Sequence, residues 1–162
     1  MAISPGDTLP EATLLRIGAD GPETVELSAL AKGRKLLIFA LPGAFTGTCT
    51  NAHVPSFIKT KDAFAEKGVD EIVCIAVNDP FVMDSWSRHT GGDKAGITFL
   101  ADPDAAFTKA MGMNFTAPPV GFYDRSKRYA MVVEDGTVKA LNLDESPGVC
   151  EKSCGEAMLE LA

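Results

Sequence analysis

A chain of 162 residues falls within the size of one folded domain. With 46% hydrophobic and 23% charged residues and a mean hydropathy of +0.08, it has the balance of a protein that buries a sizeable core. Fifteen Lys and Arg stand against 22 Asp and Glu, a formal charge of −7, so a nucleic-acid backbone is repelled on average, and the one basic cluster, Arg125, Lys127 and Arg128, is too small to reverse that. No window approaches the ~18 apolar residues of a membrane span, and the start MAISPGDTLPEAT has neither the charged nor the apolar region of an export signal. The expectation is a soluble, unexported, cytoplasmic protein that binds neither nucleic acid nor membrane. Its four cysteines are then expected to be thiols with reactive, metal-binding or packing roles.

No internal repeat or linker tract interrupts residues 1–162, so the whole chain is read as a single domain. Lys35 to Leu41 is a short apolar run stopped by Pro42-Gly43, the profile of a strand buried on both faces, and Glu71 to Val77, stopped by Asn78-Asp79-Pro80, repeats it. Between them Val54, Phe57, Ile58, Phe64 and Ala65 recur at helical spacing up to Gly68, which makes the unit a right-handed parallel crossover. Pro80 opens a helix through Arg88, Ile97 to Leu100 is a third strand, and Asp104 to Gly112 a short helix. Tyr129–Val133 and Thr137–Leu143 flank Glu134-Asp135-Gly136 as a hairpin, and Ser153-Cys154-Gly155-Glu156 reads as a capping box before a closing helix over Ala157–Leu161. The order β-α-β-α-β-α-β-β-α implies an α/β three-layer sandwich with a mixed central sheet, for which a thioredoxin-like architecture is the simplest fit.

Pro42-Gly43-Ala44-Phe45-Thr46-Gly47-Thr48-Cys49 lies at the carboxyl end of the first buried strand, where open α/β sheets place their ligands. Cys49 falls in the first turn of the next helix, where unpaired backbone N–H groups and the helix dipole favour a thiolate over a thiol. Weighed against this is a bland role as a small buried hydrophobe.

The spacing Pro42, Thr46, Cys49 resembles the active-site signature of the peroxiredoxins. The strings PGAFTGTC, HVPSF and VNDPFVMDSW are similar to those of their type II, atypical, peroxiredoxin-5-like branch. The resemblance runs from Pro5-Gly6-Asp7 to the Val132–Gly136 hairpin and departs at Gly47, where the branch usually carries proline. It implies that Cys49 is the peroxidatic cysteine, attacking a hydroperoxide to give a sulfenic acid and releasing water or an alcohol, with no metal, flavin or heme. A thiol with a pKa of about 8.5 is only ~3% ionised at neutral pH, so full ionisation contributes about 30-fold, roughly 2 kcal/mol. Ionisation alone does not make a peroxidase, and fixed donors must meet the charge that spreads onto oxygen in the transition state. Thr46 offers a hydroxyl, Pro42 shields the sulfur from water, and the resemblance assigns the active-site cation to Arg128, whose fork can face both thiolate and peroxide.

His53 stands four residues after Cys49 on the same helical face, as a tuning group, a structural histidine or, with Cys49, a zinc ligand. The absence of a C-x-x-C pair argues against zinc. His89, near a helix end, reads as a dipole-complementing surface group, and Trp86 as core or subunit-contact packing. A sulfenic acid is resolved by a second thiol. Cys74, mid-strand, reads as packing. Cys150, after the Ser146-Pro147-Gly148 turn, and Cys154 are both candidate resolvers, with Cys150 preferred because its turn can move without unwinding the last helix. The resemblance further implies thioredoxin or glutaredoxin with glutathione as the reductant. It also implies a homodimer meeting near Phe45 and the Pro80–Trp86 region. The rival is a thioredoxin-like disulfide oxidoreductase or redox-sensing binding protein, which would want C-x-x-C where this chain has Thr46-Gly47-Thr48-Cys49.

Overall fold

The computed structural model describes residues 2–162. The chain opens with elements that the hydrophobic pattern does not announce: an antiparallel hairpin of Thr13–Gly18 (β1) and Gly21–Glu26 (β2), then a short helix, Leu27–Ala31 (α1). Only Leu14 of β1 is buried and β2 has no buried residue, so the ladder from Thr13 opposite Glu26 to Gly18 opposite Gly21 makes these strands, not a core face. Pro22, which has no N–H to donate, is tolerated because β2 is the sheet edge.

Lys35–Ala40 (β3), Glu71–Ala76 (β4) and Thr98–Ala101 (β5) run parallel at the centre of the sheet. They are joined by helices Val54–Glu66 (α2) and Pro80–Thr90 (α3). Asp79 caps α3 by accepting from the Val82 N–H, and Gly91 closes it in the left-handed region. The helix expected over 104–112 is shorter, Ala106–Ala110 (α4), because Ala105 is left-handed (φ 61°) and the buried carboxylate of Asp102 takes the N–H groups of Phe107 and Thr108. Asn114–Ala117 (β6) and Phe122–Ser126 (β7), also unannounced, form a separate two-stranded sheet. Tyr129–Glu134 (β8) and Thr137–Leu143 (β9) make the expected hairpin, with Asp135 and Gly136 both at positive φ (48° and 78°) as a type I′ turn requires.

The closing helix is Gly155–Leu159 (α5), and its capping box does not form. Cys154, not Ser153, occupies the N-cap position without a side-chain cap, since the Ser153 hydroxyl is turned inward to Asp144.

The main sheet has the order β2-β1-β5-β4-β3-β8-β9, with β1, β8 and β9 antiparallel to their neighbours, so it is mixed as expected. Along β3, Leu37 and Phe39 join one core with Phe57, Phe64, Trp86 and Met158 from α2, α3 and α5. Leu36 and Ile38 join a second core with Leu27, Ala31 and Phe107 from α1 and α4. The period-two alternation of a doubly buried strand thus sets three layers, and it leaves the carboxyl ends of β3 and β4 open to the loops that carry Pro42–Thr48 and Asn78-Asp79.

Candidate functional site

Cys49 opens a π-helical turn, Cys49–His53, whose widened ladder is closed by the Val54 N–H reaching back to the Cys49 carbonyl. Pro55, with no N–H of its own to return to the preceding turn, follows directly on this widening. The turn is fastened on several sides. Trp86 Nε1 donates to Thr50 Oγ1 at 3.0 Å, tying α3 to it, and the Ala44 N–H donates to Asn78 Oδ1 at 2.9 Å, tying the β3 loop to the β4 loop. Trp86 is therefore core packing, edge-on to Phe99.

Arg128, at the threshold of β8, is 2% exposed, and no carboxylate approaches it to form an ion pair among the described residues. Its Nη2 donates to Cys49 Sγ at 3.1 Å and to the Pro147 carbonyl at 2.8 Å, its Nε donates to the same carbonyl at 3.0 Å, and its Nη1 donates to His53 Nδ1 at 2.9 Å. The expected contact with the sulfur is present. Four of the five guanidinium N–H groups are engaged by these contacts, which leaves one Nη1 hydrogen for a further oxygen.

His53 is fully buried, and burial, followed by the neighbouring Arg128 charge, lowers its pKa from 6.5 to about 3. It is neutral near pH 7, and its partners fix the tautomer: Nδ1 accepts from Arg128, so the Nε2–H donates to the Ser153 carbonyl at 3.0 Å. Both ring nitrogens are thus engaged, Nδ1 by Arg128 and Nε2 by Ser153.

Two residues of this network carry no motif in the sequence. Asp144, which follows β9, accepts the N–H groups of Glu151, Lys152 and Ser153 and the Ser153 hydroxyl. Burial opposes its charge, but the Ser153 hydroxyl and these backbone donors hold the carboxyl below its ordinary value. Arg125 donates from Nη1 to the Pro42 carbonyl at 3.0 Å and lies over the Phe122 ring, 5.1 Å from its centre. A Cβ on Gly43 would stand 2.3 Å from that Nη1, so a side chain there would displace the Arg125 fork. The signal for Arg125 was its place in the basic cluster; Asp144 offered none.

Pro42, Thr46, Thr48, Phe122, Arg128 and Pro147 line a cavity of about 250 Å³. Thr46 donates its hydroxyl to the Gly43 carbonyl at 2.7 Å, and Thr48 donates to the Gly148 carbonyl at 3.0 Å. Cys49 itself is fully buried and does not line this cavity, whereas Arg128, which reaches its sulfur, does. Gly47 faces open space, so its departure from proline disturbs no packing.

The four cysteines are not all thiols, a correction to the expectation. Cys49 and Cys74 are free, but Cys150 and Cys154 are joined in a disulfide, their Cα atoms 5.6 Å apart. Cys74 sits in the core, where burial, with Cys49 adding to it, pushes its thiol well above the ordinary range, as a packing role implies. His89, in the last turn of α3, lies 5.3 Å from the Phe45 ring.

The redoxin family profile matches residues 4–159. The chain is 44% identical to peroxiredoxin-2E-2, chloroplastic, of Oryza sativa subsp. japonica over 98% of its own length and 72% of that protein. It is 38% identical to peroxiredoxin-2F, mitochondrial, of Arabidopsis thaliana over 96% and 78%. Among solved structures, reduced Prx3 from Vibrio vulnificus in complex with hydrogen peroxide superposes with a TM-score of 0.92 at 40% identity, covering 98% of each chain. Peroxiredoxin 5 from Alvinella pompejana does so with 0.85 at 30% identity, covering 98% of this chain and 96% of that one.

Proposed function

This chain belongs to the redoxin family, among the type II peroxiredoxins, and is a thiol-dependent peroxidase; from that premise we propose that Cys49 is its peroxidatic cysteine and that Arg128, Thr46 and Pro42 complete the site. The observation that carries this assignment is a buried guanidinium with no carboxylate partner, 3.1 Å from Cys49 Sγ. A buried cation is expensive unless an anion answers it, and among the described residues no carboxylate lies within ion-pair distance of Arg128 while the Cys49 sulfur, which can become a thiolate, does.

The thiolate attacks the terminal oxygen of a hydroperoxide, the O–O bond breaks, Cys49 becomes a sulfenic acid, and the leaving oxygen departs as water or an alcohol once protonated. Negative charge moves from sulfur to oxygen along this path, and the remaining Nη1 hydrogen of Arg128 meets it there. Pro42 offers no N–H to compete, and Thr46 shapes the cavity rim through its bond to Gly43. His53, Ser153 and Asp144 act through Arg128 as positioning residues. No metal, flavin or heme takes part in this scheme.

The sulfenic acid is resolved by a cysteine of the C-terminal loop or by an external thiol, with thioredoxin or glutaredoxin and glutathione as the reductant class. The rival reading, disulfide exchange at the helix start, lacks a second cysteine there. Residues 1–162 act as one thioredoxin-like unit, since β1 and β9 belong to one sheet. We place it in the cytoplasm as a homodimer. No helix among the described residues is long and apolar enough to cross a membrane, while the relatives include chloroplastic and mitochondrial forms.

The direct test is consumption of hydrogen peroxide and an alkyl hydroperoxide with added thiol. Cys49→Ser abolishes it, and Arg128→Lys, which keeps a charge but loses the fork, lowers kcat/KM by about 10²-fold. Activity retained in Cys49→Ser would sink the assignment.

A further inference from the structure

The disulfide between Cys150 and Cys154 lies in the loop that covers the site. Pro147 and Gly148, three and two residues before Cys150, give their carbonyls to Arg128 and to Thr48, next to Cys49. The redox state is specific: Cys49 is a free thiol under Arg128 while its two candidate resolvers are bonded to each other. Resting on the reading of Cys49 as peroxidatic, we propose that Cys150 and Cys154 form a two-step relay. Cys150 resolves the sulfenic acid, and Cys154 then takes over the disulfide and releases Cys49.

Mobility sets the order of the two. Cys154 is held between fixed neighbours: Ser153 is pinned by Asp144 and by the His53 ring, and Gly155 donates its N–H to Ser56 Oγ at 2.9 Å. A Cβ at Gly155 would stand 2.4 Å from the Ser56 carbonyl oxygen, so this backbone is seated directly on α2. Cys150 lies on the other side of the Asp144 pins, at the end of the stretch 145–150, whose inner contacts are one turn, from the Val149 N–H to the Ser146 carbonyl, and a bond from the Gly148 N–H to the Ser146 hydroxyl. Release of the Pro147 carbonyl from Arg128 and of the Gly148 carbonyl from Thr48 frees the stretch that ends at Cys150 to rearrange over the Cys49 turn, whereas Cys154 stays in place.

In the first step the Cys150 thiol attacks the sulfenic sulfur, forming the Cys49–Cys150 disulfide and expelling water. In the second, the Cys154 thiolate attacks the Cys150 sulfur, the Cys49–Cys150 bond breaks, and Cys49 leaves as a thiolate into its Arg128 pocket. The Cys150–Cys154 disulfide then holds both oxidising equivalents, and an external thiol reductant returns it to two thiols with two electrons. The relay answers a problem of access. Cys49 is fully buried, beyond the reach of a protein reductant, whereas Cys150 and Cys154 are partly exposed beside the exposed Glu151 and Lys152.

Lys152 lies between the two cysteines, so trypsin puts Cys49, Cys150 and Cys154 on three separate peptides. Fully reduced protein is mixed with one equivalent of hydrogen peroxide, quenched with alkylating agent from milliseconds to seconds, and mapped by mass spectrometry. Wild type passes through Cys49–Cys150 and ends as Cys150–Cys154 with Cys49 alkylated; Cys154→Ser stops at Cys49–Cys150; and Cys49→Ser forms the Cys150–Cys154 pair at least 100-fold more slowly than wild type. The relay is overturned if wild type ends with Cys49 in the disulfide, if Cys49 is oxidised while the pair stays reduced, or if Cys49→Ser closes the pair as fast as wild type. If reduced wild type leaves the peroxide unconsumed, the assignment of Cys49 falls and takes the relay with it.

Discussion

Arg128 is held at the sulfur by the Pro147 carbonyl and by a chain of contacts running from Asp144 through Ser153 to His53, whose last link depends on the protonation state of the ring. The His53 ring can accept from Arg128 only while Nδ1 is bare, so a proton there removes the bond and sets two cations face to face. An unfolded chain binds that proton below pH 6.5, whereas the folded one refuses it until about pH 3. Stability is therefore fully present above pH 6.5 and falls as pH drops through that window, by up to about 1.4 kcal/mol per pH unit. Asp144, with its carboxyl held low, adds a loss of the same sign only below the ordinary carboxylate value of 3.8, so urea unfolding between pH 7 and pH 5 isolates the histidine. Wild type is expected to lose about 2 kcal/mol over that interval, and His53→Gln to show a flatter slope; equal slopes would mean that His53 protonates freely in the folded state. A second group is unsatisfied outright. Tyr129, next to Arg128, buries its hydroxyl with no hydrogen-bond partner, and burial with the nearby Asp102 charge raises its pKa. Removing an orphaned polar atom while keeping the ring stabilises, so Tyr129→Phe is expected to raise stability by about 1 kcal/mol, read as a higher urea midpoint. A lower midpoint would reveal an unseen partner.

At the scale of elements, the site depends on how α5 is seated, because the loop it terminates supplies Pro147 and Ser153. Gly155 rests on Ser56 with no space for a side chain, and the obstacle is backbone, which cannot swing aside. Gly155→Ala should push α5 off α2 and cost about 1–3 kcal/mol by overpacking. It should also lower peroxidase activity, whereas Gly47→Ala, facing open space, should leave the urea midpoint within about 0.5 kcal/mol of wild type. The sequence made some of this visible. Strands β3 and β4 stand out because burial on both faces demands an unbroken apolar run, and the Asp135-Gly136 turn because few residues tolerate its positive φ values. The hairpin β1–β2 and the small sheet β6–β7 do not stand out, since both are made by ladder pairing with little buried face. Ser153 misleads for a related reason: Ser-x-x-Glu is a capping box only when the hydroxyl is free to turn back on its helix, and here a carboxylate nine residues earlier in the chain claims it. Cys49 stood out by its place at a helix start and Arg128 only through the family resemblance, whereas Asp144 joined the network only through the fold.

The whole molecule carries a charge of −7, yet its site is built around a buried cation, so the surface rather than the cleft bears the acidity. Phe45 (51% exposed) and Phe81 (64%) follow the two loops that the Ala44–Asn78 bond ties together at the carboxyl ends of β3 and β4. Val120 and Tyr123 flank Phe122, which lines the cavity with Thr46. Phe45 also holds a left-handed backbone (φ 63°), a conformation that costs a non-glycine residue of order 1–3 kcal/mol and here presents its ring outward. Exposed aromatics such as Phe45 and Phe81 are the composition of the core of a protein interface, where removing apolar area from water contributes about 25 cal/mol per Å². A second copy docked over these two tied loops would cover Phe45 and Phe81 and brace the Cys49 turn from outside. Sedimentation equilibrium is expected to return about twice the 17.1 kDa chain mass, and the double variant Phe45→Arg, Phe81→Arg to return the mass of one chain. Because the bracing acts on the turn rather than on sulfur chemistry, that variant should lose part of its peroxidase rate while its urea-unfolding slope stays that of a folded chain. A wild type that sediments as a monomer at micromolar concentration would leave these aromatics to some other partner.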